Sequence, residues 1–409
     1  MPTKSVQLKN QKIPKLRFPG FSDGWEKNRL ESICDYKNGG SFENNLVENG
    51  KYNLITLNSV DITGNLKDVH KTVGSADWYL QKNDIVMVLS DVAHGNFLGL
   101  VDIIPENDKY VLNQRMGLLR KKDDSVDLKF LRAYINKSQY YFKLHGQGSS
   151  QQNLSKGDIL KFIILLPKLP EQEKLVEFLE STDKWIKNLK AQKESFESYK
   201  KGMVQKLFSQ EIRFKDENGK NFPKWGDKKL FEFTDIVVGG TPSTNNKAYW
   251  NGGVGWLSSG DLKNGLVYKP SKYITELGLK KSAAKLMPVN TVLLAMTGAT
   301  LGKVGILTFE CSGNQSVAGI IPNNNYNSRY LFYTLFVIQD SIFTASAGAA
   351  QAGINKSSIE NLKIPFPSIV EQQKISEFLT SIDKVIESKQ QQITRAEEWK
   401  KGLMQGLFV

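Results

Sequence analysis

Apolar side chains recur at alternating intervals of three and four over a long proline-free stretch that ends at Phe208. They are Leu175, Phe178, Trp185, Leu189, Phe196, Tyr199 and Met203, with Thr182 and Gln192 completing the series. A second stretch near the C-terminus repeats the pattern with Ile375, Phe378, Ile382, Val385, Ala396, Trp399 and Leu403, and with Lys389 and Gln392 interrupting it. Such spacing predicts the seam of a coiled coil. Pro167 and Pro170 precede the first stretch, Pro365 and Pro367 the second, and Glu171 and Glu371 suit the positive end of a helix. Each stretch is read as one helix of about 37 residues, hence about 55 Å long. Gln192 and Gln392 occupy matching seam positions and are candidates for fixing register. Antiparallel packing of the helices would place the remaining chain as two bodies at opposite ends of a rod.

The two stretches are copies. EQEKLVEFL (171–179) returns as EQQKISEFL (371–379), and KKGMVQKLF (200–208) as KKGLMQGLF (400–408). Over 171–208 against 371–408, 18 of 38 positions are identical without a gap, which chance does not produce. Upstream the same 200-residue offset relates Trp25, Leu30, Gly39 and Gly40 to Trp225, Leu230, Gly239 and Gly240. Fragments such as NQRM (113–116) and NQSV (314–317) also correspond. The chain is thus two halves, each a diverged body followed by a conserved tail. The boundaries are 1–166 for a first body, 167–208 for a central helix, 209–366 for a second body and 367–409 for a C-terminal helix.

Inside each body, short β-prone runs alternate with polar loops. LITLNSV, DIVMVLS and LGLVDII lie in the first, and VGWLSS, TVLLAMT and KVGILTF in the second. Helical patterns follow at 127–143 and 327–343, so the fold class is α+β: two α/β bodies in a pseudo-twofold arrangement, separated by two long antiparallel helices.

Composition narrows the class. Of 409 residues, 40% are hydrophobic and 24% charged, with a mean hydropathy of −0.37. These are the values of a soluble globular chain, and no run is apolar enough for a membrane helix. Two cysteines, Cys34 and Cys311, imply a reducing, cytoplasmic setting and no disulfide framework. The net charge of +13 points to a polyanionic partner, most simply nucleic acid.

Loops rich in Gly, Ser, Thr, Asn and Gln are the candidate contact surface, because these side chains bond base edges and phosphates. In the first half the candidates are Gly40, Ser41, Ser90, His94, Asn96, Gln114, Arg115, Ser149, Ser150 and Gln151. In the second they are Thr241, Ser243, Thr244, Ser258, Ser259, Thr297, Thr300, Lys303, Gln315 and Gln351. Catalytic signatures are missing. There is no phosphate loop, no NPPY-like tetrapeptide of a base methyltransferase, and no metal-ligand spacing among His70, His94, His145 and the two cysteines. Asp102, Glu106 and Lys109 are a loose match to a metal-nuclease triad. Glu171, Glu173 and Lys174 fit helix polarity better than chemistry.

The LRFPGF…W opening (16–25), GGTPS (239–243), TGATLGKVG (297–305), NQSVAG (314–319) and the EQxK helices ending in KKGxxQxLF resemble a type I restriction–modification specificity subunit. The resemblance spans the whole chain. It implies two target-recognition domains, each reading one half of a bipartite, asymmetric site in double-stranded DNA. It implies two modification subunits carrying S-adenosylmethionine for adenine methylation, and restriction subunits with ATP, Mg and translocation, while this chain itself holds no cofactor and catalyses nothing. Leu175, Phe178, Trp185, Leu189 and Phe196, with Ile375, Phe378, Val385, Trp399 and Leu403, would form the helical packing and subunit interface. GGSF and SDVAHGN in the first half depart from GGTPS and TGATLGK, as expected for domains that read different bases. A protein-binding adaptor and a single-chain nuclease are the alternative readings.

Overall fold

The computed structural model describes residues 13–42, 44–91, 96–346 and 353–409. The two tails form helices Leu169–Phe208 and Ile369–Leu407, of 40 and 39 residues. They begin two residues before the expected glutamates, with Pro170 in the first turn, where its missing N–H costs nothing. No helix among the described residues is long and apolar enough to cross a membrane.

The chain divides into two compact units, 1–188 with 393–409, and 189–392. Each therefore takes half of each long helix. In the first unit the strands Cys34–Asn38, Met116–Lys121, Ile85–Val88 and Val101–Ile103 form an antiparallel sheet in that order. A smaller sheet orders Thr72–Val73, Tyr52–Ile55 and Tyr110–Leu112, the last pair parallel. The second unit repeats the plan. Its central sheet runs Ile236–Val238, Val317–Ile320, Val292–Ala295, Val304–Leu307 and Gly265–Val267, and its smaller one Lys272–Ile274, Trp250–Leu257 and Ser312–Gly313. The β-prone runs fall on these strands. The helical patterns become the broken pairs Leu128–Lys137 with Gln139–His145, and Ser328–Val337 with Gln339–Ser346.

A helix end closes each core. In the first unit Phe408 is buried against Phe130 (ring centroids 5.5 Å apart, stacked) and meets Trp25 and Tyr134 edge-on. In the second, Phe208 stacks on Tyr330 (5.7 Å) and meets Trp225 edge-on. Buried Phe408 is thus a core residue of a unit most of which lies far from it in sequence, whereas half-buried Phe208 lies within the continuous stretch that forms its own unit. The helix halves run antiparallel within each unit. Lys400 pairs with Asp183 in the first and Lys200 with Asp383 (2.6 Å) in the second, two contacts that a shift of 200 residues interconverts.

The repeated EQ dipeptide has a structural role beyond helix polarity. Glu171 is 3% exposed and takes a two-pronged ion pair from Arg17 at 2.7 Å. Glu371 takes the same pair from Arg213 and a further bond from the indole N–H of Trp225. Gln172 accepts from the backbone N–H of Asp127 and donates to the carbonyl of Pro167; Gln372 does the same with Asn327 and Pro367. LRF (16–18) and IRF (212–214) therefore form a second repeat, and Phe18 and Phe214 cover Phe178 and Phe378.

The seam differs from the heptad reading. Leu179 and Ile186 are buried, whereas Trp185 is 48% exposed, and Ile393 takes the buried place beside an exposed Gln392. Each helix faces both another helix half and the body of its unit, so its buried stripe is wider than a coiled-coil seam. A tail phenylalanine inside a core gives a direct expectation. Phe408→Ala should destabilise the first unit by about 3–5 kcal/mol. Denaturant unfolding followed by the fluorescence of buried Trp25 reads this, and an unchanged midpoint would remove Phe408 from the core.

Candidate nucleic-acid interface

In the first unit the main chain draws four of the polar loops together. The amide of Gly39 donates to Met116 O and that of Gly40 to Leu112 O. A Cβ on Gly39 would stand 2.0 Å from the carbonyl oxygen of Asn113, so only glycine permits this approach. The turn Asn113–Met116 is tied onward, because Leu89 N donates to Arg115 O. The short strand Ser90–Asp91 pairs with Gln152–Asn153. The result is an open hollow of about 460 Å³ lined by Ser90, Gln114, Arg115 and Gln151, together with Tyr36, Asn38, Asn153 and Lys156.

These side chains divide by access. Gln114, Ser41, Ser149 and Ser150 are exposed; Gly40, Arg115 and Gln151 are half-buried. Ser90 is buried, donates to Asn153 Oδ1 and accepts from Gln151 Nε2 at 2.7 Å, so it orients Gln151 rather than facing a ligand. Asn96 is exposed, with its side-chain oxygen held by Lys143. Burial pushes the Tyr36 hydroxyl up to about 12, which keeps it a neutral donor, here to Asn38. His94 lies outside the described residues.

The second unit builds the same frame. Gly239 N donates to Val317 O, Gly240 N to Gly313 O, Met296 N to Ser316 O and Ile354 N to Met296 O. Each bond has its partner in the first unit. A Cβ on Gly239 would lie 2.2 Å from Gly313 O, and Thr297 bridges to Gly353. On this frame Thr241 donates to Gln315 Oε1 at 2.6 Å, and Thr241, Ser243, Thr244, Thr297 and Gln315 are exposed. Ser259, Thr300 and Lys303 are half-buried. Ser258 is half-buried too and spends its N–H and hydroxyl on Asp261 (2.7 and 3.0 Å), capping a short turn. Gln351 lies outside the described residues.

Residues 22–197 and 223–398 each match the family model of the type I restriction modification DNA specificity domain. This chain belongs to that family. A 192-residue stretch is 33% identical to the type I restriction enzyme MjaIX specificity subunit of Methanocaldococcus jannaschii, covering 45% of this chain and 44% of that one. The MjaVIII specificity subunit of the same organism is 25% identical over 80% of this chain and 78% of its own. The crystal structure of the S subunit of a type I restriction-modification system from M. genitalium superposes with a TM-score of 0.59 at 17% identity, over 97% and 99% of the two chains, and so shares the fold.

Within this pair of DNA specificity domains, the interface residues read from the helices separate into two groups. Leu175, Leu189 and Ile375 are buried within their own units; Phe178, Phe196, Phe378 and Leu403 are half-buried. Trp185, Trp399 and Val385 stay exposed, with the two tryptophans edge to face at 6.2 Å. The sequence reading missed Tyr36, Asn38, Asn153 and Lys156. Asn38 stands directly before the glycine pair, the one signal that pointed to it.

The loose nuclease triad is not gathered. Asp102 pairs with Arg132 at 2.6 Å, whereas Glu106 and Lys109 pair with each other at 2.9 Å. Among the described residues no three His, Cys, Asp or Glu side chains are placed to hold a metal ion. Burial pushes the Cys34 and Cys311 thiols up to about 12, so neither supplies a thiolate near neutrality. Iodoacetamide at pH 8 should leave both unmodified in the folded chain and alkylate both after unfolding. Mass-detected modification of either thiol in the native state would contradict this burial.

Proposed function

We propose that each specificity domain reads one half of a bipartite, asymmetric site in double-stranded DNA, and that partner subunits then methylate adenine or restrict. In that assembly S-adenosylmethionine, ATP and Mg belong to the partners. The observation that carries the reading is the twice-built loop cluster. The same glycines and the same main-chain bonds hold it in both units, while the side chains beside the shared Gln114 and Gln315 differ: Arg115 against Ser316, and Ser41 against Thr241. An invariant frame with changed readers suits two half-sites of different sequence. The chain's +13 charge would add the salt-dependent, sequence-independent part of the affinity.

Glutamine pairs with adenine and arginine with guanine through two bonds, each such pair contributing about 1–3 kcal/mol of discrimination. Replacing Gln315 and Thr297 by Ala should therefore relax only the half-site read by the second domain. Replacing Gln114 and Arg115 by Ala should relax only the other. Methylome sequencing of cells carrying each variant is the test. A second-domain variant that changes the first half-site, or neither, would reject the assignment.

Partner docking follows from the helices. Each unit joins half of one long helix to half of the other, with Trp185 and Trp399 exposed on one unit and Val385 and Tyr199 on the other. Two similar surfaces should take two copies of one modification subunit. Native mass measurement of the co-expressed complex should give two; a single copy at saturation would count against equivalent surfaces.

A further inference from the structure

Residues 269–285 of the second unit, KPSKYITELGLKKSAAK, carry five lysines and one glutamate, hence a net charge of +4 within 17 residues. The segment is firmly anchored. The strand Lys272–Ile274 and the short helix Glu276–Lys280 run through it, and Thr275 caps that helix by accepting from Gly278 N at 3.0 Å. Buried Ile274 and Ala284 and half-buried Leu279 pack with Val254, Trp250 and Trp256. With those side chains inside, Lys280, Lys281 and Lys285 point outward and are exposed. None of the three forms an ion pair among the described residues.

Their position is defined by a backbone-on-backbone contact. A Cβ on Gly240 would stand 2.4 Å from the carbonyl carbon of Ala283 and 2.6 Å from the nitrogen of Ala284. The carbonyl of Gly240 also accepts from the indole of Trp256 at 3.0 Å. The next residue is Thr241, bonded to Gln315. The lysine segment thus abuts the edge that presents the candidate base-reading side chains.

The corresponding segment of the first unit has no such cluster. The segment leading into its matching central strand, SADWYLQK (75–82), presents Trp78 and Tyr79 instead. The Lys37 amine lies 4.0 Å from the Trp78 ring centroid, and Tyr79 stacks on Tyr52.

We infer that Lys280, Lys281 and Lys285 form a phosphate-binding arm that positions the second domain on the DNA backbone beside the bases it reads. This rests on the DNA-reading function proposed above. Side chains that enter a groove are flanked by phosphates on both sides. Lysine is a compact, flexible point charge suited to a phosphate and unsuited to planar, two-bond base recognition. Three unpaired lysines beside such an edge therefore supply affinity and placement, not sequence.

The test uses the full-length chain and a 30-base-pair duplex of mixed sequence, with affinity measured from 50 to 200 mM KCl. Neutralising three phosphate contacts should lower the slope of log affinity against log salt by about 2.7, three times 0.9. Between those concentrations, Lys280→Gln/Lys281→Gln/Lys285→Gln should lose roughly 40-fold less affinity than the parent. The Lys→Arg triple should keep the parental slope, and the methylated motif of the assembled Gln variant should be unchanged. All three positions are exposed, and an unchanged thermal melt would confirm that the fold is intact. A parent chain without salt dependence would overturn the DNA-reading function itself. A steep parent with an equally steep Gln variant would overturn only the arm. A changed motif would make the arm a base reader, and an unchanged slope with lost partner assembly would make it a protein contact; either result overturns the inference.

Discussion

Each unit depends on one phenylalanine delivered by a helix end. Phe408 sits between Phe130, Trp25 and Tyr134, and Phe208 between Tyr330 and Trp225. Burying Phe408 fully contributes roughly 1.5–3 kcal/mol and half-buried Phe208 less, and ring contacts add about 0.5–1.5 kcal/mol. These contacts also decide topology. The first unit is closed by residues nearly 400 positions from its beginning, and Leu16 N donates to Gly406 O. The helices therefore complete the bodies rather than merely connecting them.

The polar frame explains why the tails repeat so closely. Glu171 and Glu371 are almost fully buried, and a buried carboxylate without its cation is strongly destabilising. Arg17 and Arg213 must then be present at matching places, as they are. Gln172 and Gln372 satisfy a helix start and a proline carbonyl at once. These demands are the same in both units, so the residues that meet them are the same. Burial and hydrogen-bond satisfaction fix the tail, and little freedom remains there for divergence.

The loops obey a different constraint. Their main chain is held by paired glycine approaches and cross-loop amide bonds, which do not depend on the neighbouring side chains. Gln114, Arg115, Thr241 and Gln315 can thus change without altering the frame that presents them. A rigid frame carrying replaceable polar groups is the arrangement that sequence-specific reading requires, since phosphate contacts position the protein and side chains at base edges discriminate.

The sequence by itself determined the duplication, the two long helices, the α+β class and the glycine-bearing polar loops, but not that these loops converge. Each rests on local information: an ungapped repeat, a proline-free apolar periodicity, β-prone runs and glycine pairs. It misplaced the buried stripe by a residue at Trp185 and Gln392, because a heptad pattern registers one partner while each helix has two. It gave Ser90 and Ser258 the same standing as exposed Gln114 and Gln315. Only the tertiary structure showed that Asn153 and Gln151 occupy the hydroxyl of Ser90 and that Asp261 occupies that of Ser258. The lysines at 280–285 were visible only as general charge, and their place beside Gly240 comes from a contact 43 residues apart in sequence. Periodicity records which side of an element is apolar. Which surface covers it, and which polar groups remain free, depends on long-range packing that only the folded chain decides.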